Sequence, residues 1–257
     1  DSNVIHVDGK IDPVHDIEII NLELILADLQ TVTKRLQSVE KDVRAGNKQA
    51  IKEKESVEKV SLALHKEILA QNAGLNDEEK ESIKGLQLLT MKPLMYILNK
   101  KAGGTNLDET KDERWTKLMD FIKNSGAEYC IVDAGVENEL KDFEGEEKEM
   151  FRNELGAKDD GINTLIKAGY DLLGLETFFT TGEVETRAWT IKKDSTAPIA
   201  GTAIHNDFKD KFIRAEVIAT EKLLEAGSYA AAREKGWLRV EGKDYVVKDG
   251  DVIEFKI

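Results

Sequence analysis

Apolar residues at Leu29, Val32, Leu36, Val39 and Val43 recur at alternating spacings of three and four, and Val57, Val60 and Leu64 repeat the rhythm. Charged and other polar side chains fill most of the positions between. That period puts one apolar stripe on each of two helices between Asp16 and about Gln71. Gly46-Asn47 divides the two runs, so the helices are predicted to fold back as an antiparallel coiled-coil hairpin with the stripes meeting at the seam. With roughly 17 residues from Leu29 to the turn, the arm extends about 25 Å at 1.5 Å per residue.

Beyond the hairpin the pattern changes. Asn76-Asp-Glu-Glu79 reads as a helix start, with Asn76 as cap and acids at the positive end of the dipole. Leu94 to Leu98 is continuously apolar and is predicted to be a strand buried on both faces. Helices are expected near Asp108 to Asn124, Glu146 to Glu154 and Ile162 to Leu173, with a second apolar strand at Tyr129 to Val132. Strand alternating with helix is the mark of a parallel α/β sheet. In the last seventy residues the runs Arg187 to Lys192, Ala203 to Phe208, Phe212 to Val217 and Glu241 to Phe255 are short, β-branched and aromatic, around an alanine-rich helical stretch from Leu223 to Lys235. That is a small mixed sheet gripping a helix, a β-grasp pattern. The expected boundaries are 1–15, 16–75, 76–173 and 174–257.

Charge sharpens the hairpin. The chain carries a net charge of −13 over 257 residues, which opposes general binding to nucleic acid. Between Lys41 and Lys54, however, Lys41, Arg44, Lys48, Lys52 and Lys54 face only Asp42 and Glu53, a local +3 that leaves −16 elsewhere. The predicted turn puts this cluster at the exposed tip, either as a contact for phosphates or as a solvated end. A single cysteine, Cys130, excludes an intramolecular disulfide framework and reads as a small buried hydrophobe of a strand. No apolar run approaches the roughly 18 residues of a membrane span and no signal sequence is visible, so a cytoplasmic protein is expected. The chain begins with Asp1 and Asn3-Val-Ile-His-Val7 already resembles the end of a strand, which suggests a piece of something longer.

Little catalytic chemistry is legible. The phosphate-cradling Gly-x-x-x-x-Gly-Lys-Ser/Thr loop is absent, and no Asp-x-x-Gly stands in a suitable strand-to-loop setting. The four histidines, His6, His15, His65 and His205, have no metal-ligand spacing. His6 and His205 read as structural residues of strands, His15 and His65 as exposed helical ones. Asn99-Lys-Lys-Ala102 follows a predicted buried strand directly, as the Asn-Lys-x-Asp guanine motif does in GTPases, where the asparagine ties loops together and the acid accepts from the base. An asparagine ending a strand is also an ordinary turn residue.

The C-terminal β-grasp runs resemble a TGS domain, a ubiquitin-like binding module, in the wording that closes the Obg-like ATPases of the YchF family. Asn3-Val-Ile-His-Val7, Gly9-Lys-Ile-Asp-Pro13, Asp16-Ile-Glu-Ile-Ile-Asn21, Leu89-Thr-Met-Lys-Pro93 and Ala168-Gly-Tyr170 also look like segments of that family. The resemblance covers essentially the whole chain. It implies the end of the N-terminal half of a P-loop G domain at 1–15, an inserted hairpin at 16–75, the C-terminal half of the G domain at 76–173 and the TGS domain at 174–257, with the P-loop half absent. It further implies ATP and Mg2+ as ligands of the full-length monomer, and the ribosome, through its large subunit or its RNA, as partner in translation or stress regulation. His6 matches the histidine proposed to position the attacking water. Asn99, with Lys100, matches the base-binding asparagine motif, where the family has an acid at the position of Ala102. The absent carboxylate leaves the choice between ATP and GTP open. Asp133-Ala-Gly135 stands where the family has a serine or cysteine before alanine. The implied docking residues are the tip cations, with His205 and Arg214 as a second surface. The competing reading is a non-enzymatic RNA- or ribosome-binding adaptor on a degenerate G-domain scaffold.

Overall fold

A computed structural model describes residues 12–110, 112–157, 161–182 and 185–257. The chain divides into two compact units, Asp1–Leu165 and Ile166–Ile257.

In the first unit α1 (Pro13–Arg44) and α2 (Lys48–Leu64) pair across the predicted seam. Asp12 caps α1 and Asn47 caps α2, so the same residue that breaks the pattern also starts the second helix. Ile25, Val32, Val57, Val60 and Leu64 form the core with Ala70, Leu75, Ile83 and Leu88, and Leu29 and Leu36 pack against them. The second arm stops at Leu64 rather than running to Gln71. The Ile68 N–H reaches back to the Ala63 carbonyl, Glu67 takes φ 58°, and the chain turns so that Ala70 enters the core. The buried Asp28 of α1 anchors this return: its carboxylate accepts the N–H groups of Leu89 and Thr90 at 2.8 and 2.7 Å and the Thr90 hydroxyl at 2.6 Å. Its place between Ile25 and Val32 puts it on the buried stripe of α1, but its partners lie more than sixty residues away, where no local period shows them.

The capping box at Asn76 and Glu79 opens α3 (Asp77–Ile83). Then β1 (Met95–Asn99) and β2 (Glu128–Val132) pair in parallel, with Met95 opposite Glu128 and Asn99 opposite Val132, joined through α4 (Glu113–Ser125). The expectation of a strand buried on both faces is not met. Tyr96 and Leu98 pack with Ile17 of α1 and Leu118 and Ile122 of α4, but Ile97 points to the other side and is 53% exposed. Among the described residues β1 has one strand neighbour and one covered face. The helix expected from Asp108 begins only at Glu113, because Asp112 caps it and residues 107–110 form turns. After β2 come α5 (Ala134–Glu139), which the sequence pattern did not single out, α6 (Gly145–Glu154) and α7 (Gly161–Leu173). Cys130 is buried in β2, and burial pushes its thiol pKa up, away from the reactive thiolate.

The second unit is a mixed five-stranded sheet in the order β4-β3-β7-β5-β6. Its strands are β3 (Leu175–Thr181), β4 (Thr186–Lys192), β5 (Arg214–Ala219), β6 (Arg239–Glu241) and β7 (Asp251–Lys256). β3 and β7 are parallel and the other pairs antiparallel. One face carries Phe178, Ile191, Phe212, Ala215, Val217 and Ile253 against α8 (Ala197–Gly201). The other carries Ile218, Val252 and Phe179 against Leu223 and Ala232. The helical stretch from Leu223 to Lys235 is two helices, α10 (Thr220–Ala226) and α11 (Tyr229–Glu234), split where Gly227 takes φ 77° and Ser228 caps the second. The run from Ala203 to Phe208 is not a strand but a turn leading into α9 (Asp207–Asp210). At Gly201 a Cβ would lie 2.7 Å from that of Phe208, so only glycine lets α8 and α9 approach so closely.

Candidate functional site

The C-terminal ends of β1 and β2 lie side by side because the strands are parallel and in register, and in open α/β sheets ligands bind outside those ends. Asn99 is the last residue of β1. Its side-chain Oδ1 accepts the N–H of Ala134 at 3.1 Å, across to the loop that follows β2. Asp133 makes the return tie. One oxygen accepts the Ala102 N–H at 2.5 Å, and the other accepts the Val136 N–H at 3.0 Å as it caps α5. The Lys100 N–H extends the ladder by one bond to the Val132 carbonyl, at 2.9 Å. Two loops are thus cross-stitched in both directions by one amide and one carboxylate.

The rest of the β1 loop is closed on itself. Asn106 accepts the Lys101 N–H at 3.0 Å and donates to the Lys101 carbonyl at 2.9 Å. Gly103 takes φ 67°, and a Cβ on Gly104 would lie 3.1 Å from the Lys101 carbonyl oxygen. The ammonium of Lys100 lies 3.9 Å from both Asp108 and Glu109, so it faces an acidic turn of its own loop. Below the crevice the buried Glu137 accepts the Gly161 N–H at 2.9 Å and stands 3.8 Å from the guanidinium of Arg152. Sequence reasoning found Asn99 and Lys100 but assigned no role to Asn106. The signal available for Asp133 was that of an N-cap, an acid just after a strand and just before a helix.

His6 lies outside the described residues. The tip cations do not form one free cluster. Glu40, one residue outside the window counted above, lies 3.0 Å from Lys54 and 3.8 Å from Arg44, and Lys54 also approaches Glu58 at 3.7 Å. The hydrogen bond with Lys54 holds Glu40 below the usual carboxylate range and raises Lys54 above the usual lysine value. Lys52 reaches Glu78 at 3.4 Å. Lys41 and Lys48 remain as exposed cations flanking the turn. In the C-terminal unit His205 is exposed, not a core residue; its Nδ1 accepts the Asp207 N–H at 3.2 Å. Arg214 is exposed on β5. His15 and His65 are exposed in or at the ends of helices, as expected. Among the described residues no group of three or more His, Cys, Asp or Glu is placed to hold a metal, and no helix is long and apolar enough to cross a membrane.

Residues 175–257 match the family model YchF-GTPase_C, described as a protein of unknown function (DUF933). The chain is 46% identical over 256 residues to the ribosome-binding ATPase YchF of Bacillus subtilis, covering all of this chain and 70% of that protein. The chain belongs to the YchF family. The ribosome-binding ATPase YchF of Haemophilus influenzae is 41% identical to this YchF-family chain over 254 residues, 99% of the chain and 69% of the relative. The structure of the Schizosaccharomyces pombe YchF GTPase superposes with a TM-score of 0.78 at 30% identity, over all of this chain and 69% of that one.

Proposed function

We propose that this chain is the base-binding and partner-binding part of a ribosome-associated, nucleotide-binding ATPase of the YchF type. The observation that carries the reading is the cross-tie of Asn99 to Ala134 and of Asp133 to Ala102, which fixes two loops at the C-terminal ends of parallel strands. A pre-set pair of loops can receive a purine without the cost of ordering them on binding. In this reading 1–15 and 76–173 belong to a G domain, 16–75 is its inserted coiled-coil hairpin and 174–257 is a TGS domain. His6 would orient the attacking water. The phosphate-cradling motif is not in the sequence, and among the described residues no group of three or more His, Cys, Asp or Glu is placed to hold a metal. The chain itself is therefore expected to contact the base of ATP and not to hydrolyse it. Magnesium-dependent phosphate release by the purified chain, abolished by His6→Ala, would overturn that expectation.

The docking surface is proposed to be the hairpin tip, on ribosomal RNA of the large subunit, with Lys41 and Lys48 as leading contacts and Arg44, Lys52 and Lys54 released from their acidic neighbours. Each productive contact should contribute somewhat under one unit to the slope of log affinity against log salt. Replacing Arg44, Lys48 and Lys52 by glutamate should nearly abolish co-sedimentation with ribosomes while helicity is kept. Sedimentation equal to the parent at every salt concentration would move the docking surface to His205 and Arg214. The methyl side chain of Ala102, where the family's acid stands, favours a second reading, a ribosome-binding adaptor whose G domain is only a scaffold. Absence of any nucleoside-dependent shift at Asn99 and Ala134 in NMR spectra, with ribosome binding intact, would decide for it.

A further inference from the structure

Asp133 is the carboxylate at the crossing of the two loops. It is half-buried, and among the described residues no lysine, arginine or histidine pairs with it. Its neighbours on the same rim, Asp108 and Glu109, face Lys100. An ionised carboxylate offers about four acceptor sites. Each Asp133 oxygen accepts one backbone N–H, from Ala102 and from Val136, which leaves about two sites for a ligand. The bond to Ala102 holds one oxygen 2.5 Å from the backbone nitrogen of the residue that has only a methyl group to offer.

We propose that Asp133 is the specificity-determining acceptor of this site, taking an N–H donor from the Watson–Crick edge of a bound purine. It would do from the β2 loop what Ala102 cannot do from the β1 loop. The proposal rests on the reading of this crevice as a base site and goes beyond it by naming the group that selects the ligand. Adenine presents its exocyclic amine to such an acceptor, and guanine its ring N–H and exocyclic amine; unsubstituted purine presents neither. A hydrogen bond to a charged acceptor is lost when the donor is missing, and the carboxylate is then left partly desolvated without a partner. The two backbone bonds keep the carboxylate in place before the ligand arrives, so discrimination needs no loop rearrangement.

The test uses the full chain with adenosine, guanosine and purine riboside as probes, followed by amide shifts of Asn99, Ala102 and Ala134 in NMR titrations. The parent should bind adenosine and guanosine about 10-fold or more tighter than purine riboside, as expected for a charge-assisted bond. Asp133→Ser keeps a helix cap and should compress that ratio to about 3-fold or less. The double variant Asp133→Ser with Ala102→Glu returns a carboxylate to the crossing and should restore the preference. If the parent binds all three nucleosides at these amides with equal affinity, or if Asp133→Ser leaves the ratio unchanged, Asp133 is only a loop tie and the proposal fails while the base-site reading stands. If no nucleoside shifts these amides up to its solubility limit, the base-site reading fails and takes the proposal with it.

Discussion

The two sheets of this molecule are finished to different degrees. In the C-terminal unit both faces of a five-stranded sheet are covered, and Phe178 at its centre has no exposed surface. The pair β1 and β2 is covered by α1 and α4 on the face of Tyr96 and Leu98 and leaves Ile97 open on the other. The first sheet makes a stable platform, whereas the second presents two loop ends whose order comes from polar cross-ties rather than from burial. Stability should therefore concentrate in the C-terminal sheet, and the candidate site should sit on the part of the molecule that opens most easily.

The largest effect should separate Phe178→Ala from Ile97→Ala. The first removes a fully buried ring and should cost about 3–5 kcal/mol in denaturant unfolding of the C-terminal unit. The second removes a half-exposed side chain and should cost under about 1 kcal/mol. Amides of β7 should likewise outlast those of β1 in hydrogen exchange; equal protection would erase the contrast. Next, Asp28→Ala leaves the N–H groups of Leu89 and Thr90 without their acceptor, and should destabilise the N-terminal unit by about 3 kcal/mol. A loss below about 1 kcal/mol would show that water replaces the carboxylate there. Asn99→Ala should cost only about 1 kcal/mol. Faster exchange should be confined to Ala134 and its neighbours, and a spread of the effect to β7 would mean that the units are not energetically separate.

The smallest effect is one of pH. In the C-terminal unit burial and the bond to Asp251 push the Tyr245 hydroxyl from 10.0 to about 12. The folded form then holds a proton that the unfolded chain releases, so stability falls as pH rises from about 10 to about 12 and levels off above it. That side chain is only partly buried, and the loss should be modest. Tyr245→Phe should flatten the profile in that window, and an unchanged alkaline slope would assign it to the lysines instead.

Part of this was legible along the chain. The seam of the hairpin followed from residues three and four apart, and the turn from Gly46-Asn47, because both depend on neighbours within one or two helical turns. Asn99 was visible because it ends an apolar run. The limits of the elements were less so: α2 stops at Leu64 because the return of the chain to the core outweighs a pattern that continues, and Asp112 delays α4 by capping it late. The sequence by itself therefore determined the periodic elements, their order and the absence of a phosphate loop. Only the tertiary structure decided that Glu40 and Glu78 neutralise part of the tip, that Asp28 is a buried anchor, and that Asp133 meets Ala102. Asp28, Glu78 and Asp133 find partners 26 to 62 residues away, and Glu40 finds Lys54 across the hairpin seam. A polar contact of that kind is set by which loops the packed strands and helices bring together, not by any local period.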